Sequence, residues 1–331
     1  MSSSTKRIMV AGGAGYIGCH VVLDLLDTGY DVTVLDNLSN GSREAVPEGV
    51  RFIEGDVLNP SDLDRAFEPG CDAVFHFAAL KAAGESMLNP GEYARVNLSG
   101  SLNLLEAMSR HAVGNLVFSS SAAVYGYPQT LPIDEDHPTD PINYYGYTKL
   151  AIEQNMAWYS RLKNLRHASL RYFNAAGYDM QGRVCTTERN TANLLPLVME
   201  VATGRRPQID VYGTDYDTPD GSCIRDYIHV TDLSKAHLSA MNHLLDGKDN
   251  LVLNLGTGQG YSVLEVLDHA RAITGHPIPA VHTDRREGDP AELRASSERA
   301  LKLLGWRAEH SRIEDILESM WRVYQGTDSH R

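Results

Sequence analysis

Residues Gly12-Gly13-Ala14-Gly15-Tyr16-Ile17-Gly18 follow the apolar run Ile8-Met9-Val10-Ala11 and lead into a segment where Ile17, Val21, Val22, Leu25 and Leu26 recur at helical spacing. A strand, a glycine turn and a helix in that order fit few folds. Glycines let a pyrophosphate approach the backbone, and the helix start offers free N–H groups and the positive end of its dipole. The stretch therefore reads as a dinucleotide site. Two phases fit it, Gly13-x-Gly15-x-x-Gly18 and Gly12-x-x-Gly15-x-x-Gly18, and the motif by itself does not choose between them.

Downstream the pattern alternates. Strands are expected at Asp31–Leu35, Arg51–Glu54, Ala73–Phe77, Asn115–Phe118 and His167–Phe173, with helices from about Ser61 to Phe67, Pro90 to Arg110 and Tyr145 to Leu162. Strands alternating with helices predict an α/β fold with a doubly wound parallel sheet, which gathers binding residues at the carboxyl ends of strands. Asp36 stands at such an end, about 20 residues past the glycines, where an acidic residue bonds the adenosine ribose. Its charge would repel the 2′-phosphate of NADP, and Asn37 offers no compensating guanidinium, so NAD is the expected cofactor. Past Tyr178 the alternation loosens. We expect a dinucleotide-binding domain over 1–177 and a smaller mixed α/β substrate lobe over 178–331, with segments around 226–260 returning to the main domain.

A net charge of −13 over 331 residues argues against nucleic acid, whose binding rests on many Lys and Arg contacts to phosphate. No apolar run reaches the roughly 18 residues of a membrane span. The four cysteines, Cys19, Cys71, Cys185 and Cys223, contain no C-x-x-C pair; they suggest no metal site and fit a reducing cytoplasm. Cys19 reads as a small buried filler.

Tyr145 and Lys149 lie four apart on an expected helix, one turn apart on one face. A phenol with a reference pKa of about 10 is too weakly acidic to be a base at neutral pH, but an ammonium and an oxidised nicotinamide ring would both favour phenolate. Of Tyr144, Tyr145 and Tyr147, Tyr145 has the lysine at that spacing.

The chain resembles the nucleotide-sugar 4-epimerases of the extended short-chain dehydrogenase/reductase family over nearly its whole length. The matching stretches are residues 12–18, 35–38, 55–57, 76–81, 119–126, 145–149, 171–177, 215–221, 224–230 and 285–290. The resemblance implies a Rossmann-like fold and the glycine phase Gly12, Gly15, Gly18. It implies NAD contacts from Gly12, Gly15, Tyr16, Ile17, Gly18, Asp36, Asn37, Asp56, Val57, Phe77, Ala78, Lys81, Asn97, Tyr145, Lys149 and Tyr172. The implied reaction is reversible epimerisation at carbon 4 of a UDP-hexose through a 4-keto sugar, with Ser121, Tyr145 and Lys149 as the catalytic set. Implied substrate contacts are Lys81, Ser121, Tyr145, Asn174, Asn193, Tyr212, Arg225, Arg286 and Asp289, the two arginines gripping the diphosphate. The family also implies a homodimer through the long helices.

Sugar dehydratases of this family carry Asp or Glu just after the serine position, where this chain has Ala122 and Ala123; that favours simple epimerisation. Leu293 stands where some members carry a pocket-narrowing tyrosine, which leaves room for N-acetylated UDP-hexosamines. The alternatives are a UDP-uronate 4-epimerase, separable by a substrate panel, and a non-catalytic NAD-sensing module, which would have no need of an acid/base set.

Overall fold

A computed structural model describes residues 5–188, 192–286 and 288–326. The strands are β1 (Arg7–Ala11), β2 (Asp31–Asp36), β3 (Arg51–Glu54), β4 (Ala73–His76), β5 (Asn115–Ser121), β6 (Arg166–Tyr172), β7 (Asn174–Ala176), β8 (Ile209–Tyr212), β9 (Ile224–Arg225), β10 (Tyr227–His229), β11 (Leu251–Leu255), β12 (Tyr261–Ser262), β13 (Ala280–Thr283) and β14 (Glu292–Leu293). Seven of them form one sheet in the order β3-β2-β1-β4-β5-β6-β11. The pairs β1–β2, β2–β3, β1–β4 and β4–β5 are parallel. The direction of strand addition reverses between β1 and β4, which is where such sheets open a ligand crevice at their carboxyl ends.

The helices of the first half are α1 (Tyr16–Asp27), α2 (Pro60–Phe67), α3 (Ala83–Leu88), α4 (Pro90–Tyr93), α5 (Gly100–Arg110) and α6 (Tyr144–Lys163). The later ones are α7 (Leu194–Ala202), α8 (Val230–Leu245), α9 (Val263–Thr274), α10 (Glu298–Leu304) and α11 (Ile313–Gly326). Met9 and Ala11 of β1, Leu35 of β2, Val74 of β4 and Leu116 and Phe118 of β5 pack with Leu104 and Met108 of α5 and Ile152 and Met156 of α6 in one core. Ile8 and Val10 of β1, Val32 and Val34 of β2 and Val21, Val22 and Leu25 of α1 are also buried, so these strands lack the polar alternation of a half-solvated sheet.

Two segments differ from the sequence reading. The expected helix over 90–110 is α4, a π-helical stretch at Ala94–Ser99, and α5 in succession. Such a bulge re-aims side chains, and here it carries the buried Asn97. The fifth strand, expected over Asn115–Phe118, runs on through Ser119, Ser120 and Ser121, each of which is also tied to α6.

The chain divides into two compact units built from interleaved stretches. One takes residues up to Gly126, Pro138–Arg171 and Ser234–Leu253. The other takes Tyr127–His137, Tyr172–Leu233 and the chain from Asn254 onward. The second unit holds three small sheets: β7 with β10, β8 with β13, and β9 flanked by β12 and β14. Among the described residues no helix is long and apolar enough to cross a membrane, and no group of three or more His, Cys, Asp or Glu could hold a metal ion.

Candidate active site

The glycine turn is shaped by two close approaches. Gly12 has φ +82°, and a Cβ there would lie 2.5 Å from the Ala78 backbone nitrogen. A Cβ on Gly18 would lie 2.2 Å from the Gly12 carbonyl oxygen, so α1 starts as close to β1 as a helix can. At Gly15 the corresponding Cβ meets only Gly12 O, at 3.3 Å. Gly15 caps α1 without a side-chain hydrogen bond, and the first turn has no acidic residue. A helix start in that state suits a pyrophosphate. Cys19 is buried, as expected, and its thiol donates to Tyr16 O over 3.2 Å.

Asp36 ends β2 and is 8% exposed. One carboxylate oxygen accepts from Ala14 N (2.9 Å), in the glycine turn, and the other from Leu38 N (2.8 Å). Desolvation raises its pKa, against the pull of these two bonds. The aspartate thus ties the turn after β2 to the glycine turn, whatever it offers a ribose. Asn37 donates to Asp56 over 2.9 Å, and Asp56 also accepts from Leu58 N, which draws both residues to the mouth of β2 and β3 beside the buried Val57.

Past β4, Phe77 N and Ala78 N both donate to Ala11 O, laying this segment along the glycine turn. Asn97 clamps the next residues of the chain: its Oδ1 accepts from Leu80 N (2.8 Å), and its Nδ2 donates to Leu80 O (3.0 Å) and Thr148 Oγ1 (3.1 Å). Its amide therefore positions the stretch leading to Lys81. The Lys81 side chain reaches solvent, but surrounding protein displaces enough water to lower its ammonium pKa to about 8.

Ser121, Tyr145 and Lys149 come together where β5 meets α6. Asn143 caps α6, its side chain accepting from Gly146 N at 2.8 Å, and the buried Ser86 of α3 accepts from Tyr145 N at 3.0 Å. The Tyr145 hydroxyl is hydrogen-bonded to Ser121. The Lys149 ammonium sits 5.7 Å from the Tyr145 ring centroid and 4.8 Å from that of Phe118, and donates to Ser119 O over 2.7 Å.

Burial dominates the electrostatics of this pair. Burial pushes the Tyr145 phenol up to about 12, with the Ser121 bond pulling the other way. Burial likewise takes Lys149 down to about 7, against the upward pull of Glu153. Lysine and tyrosine have both lost water, and for each of them desolvation is the largest influence.

The six remaining substrate candidates lie in the second unit, around one cavity lined by Asn174, Asn193, Tyr212, Arg225, Arg286 and Asp289. Arg225 pairs with Asp289. The Arg286 guanidinium lies 3.8 Å from the Tyr212 ring centroid, so that ring face carries a cation. Asn174 donates to Asp226 O over 3.0 Å. Tyr172 closes β6 at 9% exposure. Within the Arg285–Pro290 motif, Glu287 lies outside the described residues, as do residues 189–191 ahead of Asn193.

Residues that the sequence reading passed over are Ser86, Ser120, Tyr125, Glu153 and Arg171. Glu153 carried a usable signal, standing four residues after Lys149 as Lys149 stands four after Tyr145. Nothing in the sequence pairs it with Arg171.

Residues 8–256 match the family model described as the NAD dependent epimerase/dehydratase family. The chain is 48% identical over 315 residues to the UDP-glucose 4-epimerase of Corynebacterium glutamicum, covering 95% of this chain and 94% of that one. Its fold is similar to that of the UDP-glucose 4-epimerase of Brucella ovis in complex with NAD, with TM-score 0.94, 42% identity, and 97% and 98% of the two chains covered. It is also similar to the UDP-glucose 4-epimerase of Bifidobacterium longum in complex with NAD+ and UDP, with TM-score 0.92, 41% identity, and 98% and 99% covered.

Proposed function

This chain belongs to the NAD dependent epimerase/dehydratase family, and from that premise we propose that it interconverts UDP-galactose and UDP-glucose by epimerising carbon 4. The observation that carries the proposal is the Ser121–Tyr145–Lys149 set, assembled at β5 and α6 with Ala122 and Ala123, and no carboxylate, following the serine. The residues present fit NAD: a side-chain-poor turn, an uncapped helix start and a strand-end aspartate.

NAD held there would supply the redox chemistry at carbon 4 and a positive ring charge that favours phenolate. Tyr145, as phenolate, takes the proton of the 4-hydroxyl and returns it to the 4-keto sugar after the sugar has turned over. Burial pushes its phenol up to about 12, so the phenolate calls for positive charge close to the ring. Ser121 bonds the same hydroxyl and relays the proton. Lys149 adds charge and a donor for the nicotinamide ribose. Asp36 takes the adenosine ribose, and Arg225 and Arg286 hold the diphosphate, so that only the sugar has to move.

Two coarser features complete the reading. The cytoplasm suits four cysteines that form no disulfide. A second copy of this chain suits the apolar side chains left exposed on α6 and α3: Trp158 is 57%, Leu162 70% and Leu88 81% exposed.

The test is to incubate purified protein with UDP-galactose and no added cofactor. UDP-glucose should form, and its absence, with NAD then supplied as well, would overturn the proposal. A UDP-uronate arm separates the related reaction. A UDP-N-acetylglucosamine arm tests the room left by Leu293; no turnover at saturation would show that leucine does not widen the substrate range.

A further inference from the structure

We propose that Glu153, ion-paired with Arg171 in the interior of the first unit, is a positioning residue for the Ser121–Tyr145–Lys149 set: it locks α6 onto β5 and sustains the charge of Lys149. The proposal rests on the epimerase reading for its catalytic meaning, although its physical core does not.

Three consecutive residues of β5 are each held by a successive turn of α6. Ser121 is bonded to the Tyr145 hydroxyl, the Ser119 carbonyl accepts from Lys149 over 2.7 Å, and Ser120 Oγ donates to Glu153 Oε1 over 2.5 Å. Glu153 is 7% exposed, Ser120 0% and Arg171 6%, so the last link is out of reach of any ligand. Arg171, on β6, holds both oxygens of Glu153, Nε to Oε1 at 3.0 Å and Nη2 to Oε2 at 2.5 Å. Its Nη1 donates to Tyr125 Oη over 3.0 Å. A shift of α6 along β5 would break the pair and the serine bond along with the catalytic contacts.

The groups around Lys149 come from four elements: Tyr145 and Glu153 on its own helix, His76 on β4, the Phe118 ring and Ser119 carbonyl on β5, and Arg171 on β6 behind Glu153. Glu153 supplies the negative charge of this set, and Arg171 and His76 oppose it when charged; His167 on β6 also feels Glu153. Burial draws the lysine towards neutrality and Glu153 resists it. The resulting midpoint of about 7 lies where a modest change of charge alters how much ammonium is present at working pH.

The experiment follows the Nζ resonance of Lys149 against pH in 15N-lysine-labelled protein as purified, assigned with Lys149→Met, and the pH profile of kcat alongside it. Glu153→Gln should lower the Lys149 midpoint by about one unit and move the alkaline limb of kcat down with it, while Arg171→Gln should raise both. A purely structural role would lower activity in each case without moving the midpoints in opposite directions. Glu153→Gln combined with Arg171→Gln removes both charges, leaves two amides in place of the ion pair, and covers the case in which a single variant does not fold. Its midpoint should fall by less than that of Glu153→Gln. An unmoved midpoint in every folded variant, or the same direction in both single variants, would overturn the proposal. Wild-type protein without epimerase activity would sink the reading of function instead, and the Nζ titration would still judge Glu153.

Discussion

His76 ends β4 at 2% exposure, with Nε2 2.7 Å from Ser101 Oγ and Nδ1 unpartnered among the described residues. Burial, and then the neighbouring Lys149 charge, hold its pKa down at about 3. The unfolded chain therefore binds a proton between about pH 6.5 and pH 3 that the folded protein refuses, so His76 stabilises the fold above that window and loses its contribution as pH falls through it. Unfolding free energy should drop on acidification with a slope of up to about 1.4 kcal/mol per pH unit from this residue, and His76→Gln should flatten it in denaturant titrations between pH 7 and 4. An unchanged slope would mean the imidazole protonates in the native state. Tyr145 is the other residue where environment overrides type. Tyr145→Phe keeps the ring and removes the hydroxyl, so the protein should fold, carry its NAD and lose about 10²-fold or more in kcat. Activity near wild type would remove Tyr145 from the acid/base role.

At the scale of elements, position is set by contacts that leave no slack. The Gly12 carbonyl lies 2.2 Å from where a Gly18 side chain would begin, so Gly18→Ala must push α1 away from β1. Overpacking of this kind costs about 1–3 kcal/mol, and the displaced helix start is the proposed pyrophosphate seat. We expect a lower melting temperature together with less co-purifying NAD, measured by absorbance after acid release. A variant that melts early but keeps full NAD would separate the helix position from cofactor binding. The π-helical turn at Ala94–Ser99 shows the same economy, since it turns Asn97 inward to hold Leu80 on one side and Thr148 of α6 on the other. The spacing of apolar residues reads as helix through that region, and the extra residue in the turn has no compositional mark.

For the whole molecule, Trp158 and Leu162 on α6 are large apolar side chains left in water, and they lie four residues apart, on one face. Under the proposed pairing of two copies, the unsubstituted chain should sediment as a dimer in analytical ultracentrifugation and Trp158→Lys with Leu162→Lys as a monomer with the interior of each unit intact; a dimeric variant would place the interface elsewhere, and a monomeric unsubstituted chain would remove it. The sequence by itself determined the order of strands and helices, the glycine turn with Asp36, and the choice of Tyr145 by its lysine one turn on, because local periodicity and short spacings encode all three. It also supplied six of the polar residues that line the cavity of the second unit, through resemblance rather than pattern. Tertiary structure alone decided that Tyr127–His137 joins the second unit, and it set the bounds, Ser234–Leu253, of the later stretch that joins the first. It also decided the acid–base balance of the site. Desolvation depends on how many atoms from distant strands surround a group, and that sum drove Tyr145 up and Lys149 down and matched Glu153 with Arg171, 18 residues away on β6.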